Sequence, residues 1–312
     1  LNVGERLPHF TKPKKYCFNG RWPGDLRGGV RGVESRATGF AGDFAKMDLR
    51  SIIKLGAATA AMAGTAGIVW HETRLRFFGQ TYLQMGTSIS GGAGAPDQGT
   101  TPIVVGRTLH MTATNAGLDG ACAGYSPAPG REQRSLYSVV NSIVSHDWKA
   151  QQVEKFPRCQ LAIARSQNVN FGELDYLGLE YGANDFGLAR PIGRNDDLMP
   201  DTFKGALNYS LDRLTSAFPR LRIFLIGPTW RMTKEGQNSD TTPNSAGIFL
   251  KDYVEATTSI ARQHNLPSLD MWRSLGIGPD NHQRFLIDGV HLNPDGAKWS
   301  GQAIAAFMNS VF

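Results

Sequence analysis

Thr81-Tyr82-Leu83-Gln84-Met85-Gly86-Thr87-Ser88-Ile89-Ser90 is uncharged, largely apolar at its start, and broken by a glycine before two serines. An apolar run of that length reads as a short buried strand over Thr81–Met85, and Gly86 ends it. Similar text recurs downstream. Leu174–Leu179 and Leu221–Ile226 read as strands, the second stopped by Gly227-Pro228, with shorter ones at His110–Thr114 and Pro267–Met271. Between them Ile103–His110, Glu132–Val144, Phe203–Phe218 and Ile248–His264 carry apolar residues at helical spacing. A last helix, Pro294–Met308, is marked by Asn293 as its cap and Pro294 in its first turn. Strands alternating with helices predict an α/β fold, a three-layer α/β/α sandwich around a mostly parallel sheet. Ligands of such sheets sit beyond the carboxyl ends of the strands. Ser88, Gly117 and Asn184 follow the first three strands and fall at that end.

Composition narrows the partners. The formal charge is +6, but residues 1–46 hold nine Lys/Arg against four Asp/Glu, leaving 24 basic and 23 acidic side chains on the remainder. A phosphate backbone needs clustered positive charge on the folded domain, so nucleic-acid binding is not expected. Cys17, Cys122 and Cys159 show no zinc-type spacing. Cys122 and Cys159 are either a pair, if the protein is exported, or free buried thiols.

The chain divides into three parts. Residues 1–46 have no sustained period and read as a disordered or non-native basic leader. Residues 47–70 open with Met47, Arg50 and Lys54 and continue as an uncharged Ala-rich run ending in small residues. Those are the parts of a signal peptide or short membrane anchor, with weak membrane association through 52–69; an Ala-rich helix packed on the domain is the alternative. Residues 71–312 form the single α/β domain. Export follows as an expectation, to the periplasm, the exterior or the envelope.

The candidate chemistry lies in four places. Ser88 is a nucleophile if a histidine accepts its proton and a third group holds that histidine in the correct tautomer. Asp288 and His291, in Asp288-Gly289-Val290-His291, are three residues apart, close enough for a turn to join carboxylate and imidazole. Attack on a carbonyl creates an oxyanion that needs preorganised donors. Asn184 offers a side-chain amide, and Ser88 and Gly117 offer backbone N–H groups, with Gly120 as the alternative to Gly117.

Gly86-Thr87-Ser88-Ile89, Asn115-Ala116-Gly117, Gly182-Ala183-Asn184-Asp185 and Asp288-Gly289-Val290-His291 together resemble the four blocks of the SGNH (GDSL-type) hydrolase superfamily, over roughly residues 79–312. The resemblance implies the flavodoxin-like fold of that superfamily, no metal or organic cofactor, and ester hydrolysis through an acyl-enzyme. It assigns Ser88 as nucleophile, His291 as base and Asp288 as its orienter, with Ser88, Gly117 and Asn184 as the oxyanion hole. One residue departs from the pattern: Thr87 stands where the family usually has Asp. The implied substrate is a small ester, glycan and lipid esters included. An O-acyltransferase with the same residues and a non-catalytic envelope binding module on the same fold are the competing readings. Trp230, Arg231 and Lys234, in the loop after the fourth strand, are expected either at a pocket wall, with Trp230 stacked on substrate, or as loop-anchoring core.

Overall fold

The computed structural model describes residues 76–125 and 131–312. The leader 1–46 and the apolar run 47–70 lie outside the described residues. Five strands, β1 Thr81–Gly86, β2 Thr112–Gly117, β3 Tyr176–Glu180, β4 Arg222–Ile226 and β5 Ser268–Leu269, form one sheet in the order β2-β1-β3-β4-β5. Every pairing is parallel, with Thr81 opposite Thr112 and Tyr82 opposite Tyr176. Ten helices connect and cover the strands among the described residues. In chain order they are α1 Ser88–Gly91, α2 Thr101–Leu109, α3 Leu136–Ser145, α4 Pro157–Gln167, α5 Ala183–Gly187, α6 Phe203–Ala217, α7 Leu250–Gln263, α8 Met271–Leu275, α9 His282–Phe285 and α10 Pro294–Val311.

Strand side chains alternate between faces, and each face builds its own core. Leu83, Met85, Leu177, Leu179, Ile223 and Leu225 point to one side, where they meet buried residues of α3, α4, α6 and α7. Tyr82, Tyr176, Phe224 and Ile226 point to the other, against Val105 and Leu109 of α2 and Ile304 and Met308 of α10. Both faces of the sheet are therefore buried, which is why its strands read as near-continuous apolar runs rather than alternating ones. Each fully buried Leu or Phe contributes about 1.5–3 kcal/mol relative to exposure. The predicted α/β sandwich is the observed one.

One local expectation needs correction, and one open alternative is decided. The second strand begins at Thr112 rather than His110, because His110 takes a left-handed φ of 58° and ends α2 with its N–H on the Gly106 carbonyl. Asn115-Ala116-Gly117 is consequently the end of the strand, not the loop beyond it. Cys122 and Cys159 are free buried thiols rather than a pair; burial pushes the Cys159 thiol up to about 11 and Cys122 further still.

Candidate active site

β1 ends at Gly86, and the chain turns at once into α1. Thr87 caps that helix, its hydroxyl accepting from the Ile89 N–H at 3.2 Å. Ser88 is therefore the first helical residue, and its N–H has no intrahelical partner and no other among the described residues. The side chain is largely buried, yet its Oγ lies 2.9 Å from His291 Nε2.

The turn carrying His291 sits between α9 and α10. Ile287 N–H donates to the His291 carbonyl, and Asn293 N–H to the Phe285 carbonyl, so the segment folds back on itself. Asn293 then caps α10, its Oδ1 accepting from Gly296 N–H at 2.9 Å. Asp288 organises the turn. Its Oδ1 accepts from the backbone N–H groups of Val290 (3.0 Å) and His291 (2.8 Å), and its Oδ2 lies 2.7 Å from His291 Nδ1. Burial pushes the Asp288 carboxyl up, but the two N–H groups and the imidazole outweigh it and hold the group below its ordinary 3.8. An ionised carboxylate only accepts hydrogen bonds. Nδ1 accordingly carries the proton, and Nε2 presents a lone pair to the Ser88 hydroxyl.

Asn184 lies in α5, directly after β3. Its Nδ2 donates to the Ala121 carbonyl at 2.9 Å, which leaves one amide hydrogen for a ligand. The neighbouring Asp185 is fully buried and ties this turn to the loop after β2, accepting from Gly182 N–H (3.2 Å) and Ala123 N–H (3.1 Å) and facing Arg190 Nε at 3.4 Å. Burial raises its carboxyl, against the pull of those donors.

Gly117 does not fit its expected role. Its N–H donates to Asn115 Oδ1 at 3.0 Å, so the donor is already engaged. The glycine is needed for packing instead, since a Cβ at this position would stand 2.3 Å from the Gly91 nitrogen and 2.7 Å from the Thr87 carbonyl oxygen. Gly120, three residues on, is half-buried, and its N–H has no partner among the described residues. Of the four candidate donors, those of Ser88, Gly120 and Asn184 are thus free among the described residues.

In the loop after β4 the loop-anchoring reading is the observed one. Trp230 is only 1% exposed; its Nε1 donates to Asn238 Oδ1 and its ring packs on His282, so it anchors the loop and cannot stack on a ligand. Arg231 is buried too, with Nη1 donating to the Ala183 carbonyl at 3.0 Å and Nε to that of Met232 at 2.9 Å. Burial lowers its pKa, while the Asp288 charge works the other way. It braces the turn that holds Asn184. Glu180, at the end of β3, is not singled out by sequence patterning; a charge closing an otherwise apolar strand is its available signal.

A serine hydroxyl, an imidazole and a carboxylate in an unbroken chain can activate a nucleophile, and the Ser88 N–H, Gly120 N–H and one Asn184 amide hydrogen are unengaged among the described residues. The sequence profile of the GDSL-like lipase/acylhydrolase family matches residues 85–299. The chain belongs to this family. As a GDSL-family member of the SGNH superfamily it is a hydrolase. No curated protein matches the sequence. Among solved structures, one aligns over 75% of this chain and 97% of its own with 20% identity and a TM-score of 0.61. Another, a protein from Lactobacillus plantarum, aligns over 76% and 99% with 20% identity and a TM-score of 0.57. At such identity the likeness shows that this GDSL-family hydrolase shares their fold.

Proposed function

We propose that the protein is a serine esterase that hydrolyses carboxylic esters through an acyl-Ser88 intermediate. The carrying observation is the continuous contact from Ser88 Oγ through the two ring nitrogens of His291 to Asp288, at 2.9 and 2.7 Å. In the first half-reaction Ser88 Oγ attacks the ester carbonyl as His291 Nε2 takes its proton, and Asp288 stabilises the imidazolium that forms. The carbonyl oxygen gains charge as Ser88 N–H, Gly120 N–H and Asn184 Nδ2 donate to it, with Gly120 in place of Gly117. His291 returns the proton to the departing alcohol. Water then enters, His291 again serves as base, and the acid leaves with Ser88 restored. The substrate is a small-molecule ester, with glycan and lipid esters both within reach of this chemistry. Export to the periplasm, exterior or envelope remains part of the proposal through residues 47–70, and N-terminal sequencing of protein recovered outside the cytoplasm tests it.

The functional test is hydrolysis of p-nitrophenyl esters of increasing acyl length by the wild type and by Ser88→Ala. The substitution is expected to lower kcat by at least about 10³-fold and to abolish labelling by a serine-directed phosphonate. Equal rates from the two folded proteins would end the acyl-Ser88 reading.

A further inference from the structure

Glu180 is the only charged residue of β3 and is 5% exposed. Its Oε2 accepts from the Thr87 N–H at 3.2 Å, the Thr87 hydroxyl at 3.0 Å and the Ser90 hydroxyl at 2.8 Å. Those two residues flank Ser88. Ser90 Oγ accepts in turn from Gln84 Nε2 at 2.7 Å, and Gln84 Oε1 from the Tyr82 hydroxyl at 2.8 Å. Every donor in this chain points toward the carboxylate. Gly86 admits the arrangement, since a Cβ there would stand 2.6 Å from Ser90 Oγ and 2.9 Å from Glu180 Oε2.

The other carboxylate oxygen, Oε1, is buried and makes no hydrogen bond. It shares a cavity of ≈ 10 Å³ with Thr101 and Thr229, whose hydroxyls are also buried and without partners. A cavity of that size holds about one water, which needs two to four polar partners, and three of its lining residues each carry a buried oxygen without a partner.

We propose that Glu180, completed by one water shared with Thr101 and Thr229, is a positioning residue that fixes the Ser88 turn for attack. The inference rests on Ser88 being the nucleophile. Buried donors left without an acceptor are costly, so without Glu180 the Thr87–Ser90 turn would re-pair and carry Ser88 Oγ and N–H with it. A shift of about 1 Å at a reacting group costs on the order of 100-fold in rate.

The test uses the full chain and p-nitrophenyl acetate, comparing Glu180→Leu, Glu180→Gln, Thr87→Val and Ser88→Ala, each with its thermal melt. Glu180→Leu removes the acceptor and is expected to lower kcat about 100-fold, with KM within about threefold of wild type. Glu180→Gln keeps a carbonyl oxygen for the three donors and should recover at least about tenfold of that loss. Thr87→Val deletes the hydroxyl that both reaches Glu180 and caps α1 and should cost about tenfold in kcat; it carries the test, read with its thermal melt, if Glu180→Leu does not fold. Near-wild-type kcat in Thr87→Val and in folded Glu180→Leu, or Gln no better than Leu, overturns the proposal while an inactive Ser88→Ala leaves the nucleophile standing. An active Ser88→Ala removes the nucleophile and the positioning role together. A crystal structure at about 1.5 Å should place a water within hydrogen-bond reach of Glu180 Oε1 and both threonine hydroxyls; clear density without one overturns the shared-water half.

Discussion

Asp288 does two jobs with one carboxylate. Oδ1 holds the backbone N–H groups of Val290 and His291, and Oδ2 holds the imidazole. Asparagine cannot do both. If its carbonyl oxygen keeps the backbone pair, its NH₂ faces Nδ1, which must then accept; the proton moves to Nε2 and confronts the Ser88 hydroxyl with a donor. Asp288→Asn is therefore expected to keep the turn and the melting temperature while lowering kcat on the order of 10³–10⁴-fold, the scale of a wrong-tautomer histidine. Because Asp288 is held below its ordinary 3.8, it remains ionised at pH 5, and no loss of wild-type activity between pH 7 and 5 traces to its protonation. Stopped or steady-state assays of both proteins over that range check both statements, and a variant within about tenfold of wild type would assign the orientation of His291 to another group. The same scale explains why Gly117 and Gly120 cannot be told apart in the sequence. A glycine beside a strand end looks alike in sequence whether it donates to a ligand or admits a neighbouring backbone, and only the Asn115 side chain on the Gly117 N–H separates the two.

At the scale of elements, loops that carry donors are held by buried charge. Glu154 meets Arg134 through two contacts, at 2.6 and 2.7 Å, and accepts from Gln133 and from the Phe156 N–H. Arg134 in turn donates to the Asp119 carbonyl at 2.8 Å, next to Gly120. Burial pushes the Glu154 carboxyl up, but Arg134, the Phe156 N–H and Gln133 hold it below its ordinary 4.5. A carboxyl lowered by folding stabilises above its unfolded pKa and loses that contribution as pH falls through the folded value. Glu154→Gln is thus expected to cost roughly 3 kcal/mol at pH 7, with the gap to wild type closing below about pH 4. Urea melts at several pH values measure it, and a gap that stays constant with pH would show that shape rather than charge matters at residue 154. Elements with a full apolar face were legible in the sequence: β1, β4, α6 and α7 fall within two residues of their predicted bounds. α4 was not, because it buries Cys159, Ala162, Ile163 and Ser166, a helical spacing written in small and polar residues. Three of the four blocks were equally legible in position, since Ser88, Asn184, Asp288 and His291 all sit where a strand ends or the last helix begins. What holds those blocks was less so: Glu180 acts across the fold on Thr87, 93 residues away, and Arg134 on Asp119 and Glu154 with no sequence pattern that pairs them.

For the whole molecule the decisive fact is that Ser88 and His291, the proposed nucleophile and base, are 203 residues apart in sequence. Ser88 is fixed by the sheet centre, while Asp288 and His291 are fixed by α10, so the site exists only while α10 stays docked. Its last turn, beyond Ile304 and Ala305, completes that contact. Phe307 packs on Phe224 at 5.8 Å between ring centroids, Phe312 meets Tyr176 edge-on at 5.1 Å, and Met308 is fully buried. Loss of a buried Phe or Met side chain typically costs about 2–5 kcal/mol, and a domain has only about 5–15 kcal/mol in total. Deleting residues 307–312 removes no site residue, yet it is expected to consume most of that margin and to unfasten the helix that presents His291. The shortened protein should lose its near-UV circular dichroism and cooperative melt at 37 °C and, with them, ester hydrolysis. Activity should return in part at 10–15 °C if the sheet survives and only the docking equilibrium has shifted. A truncated protein with the wild-type melt and kcat would mean that the Asp288–Asn293 turn holds its position through α9 and the Leu286–Leu292 bridge alone, without the C-terminal clamp.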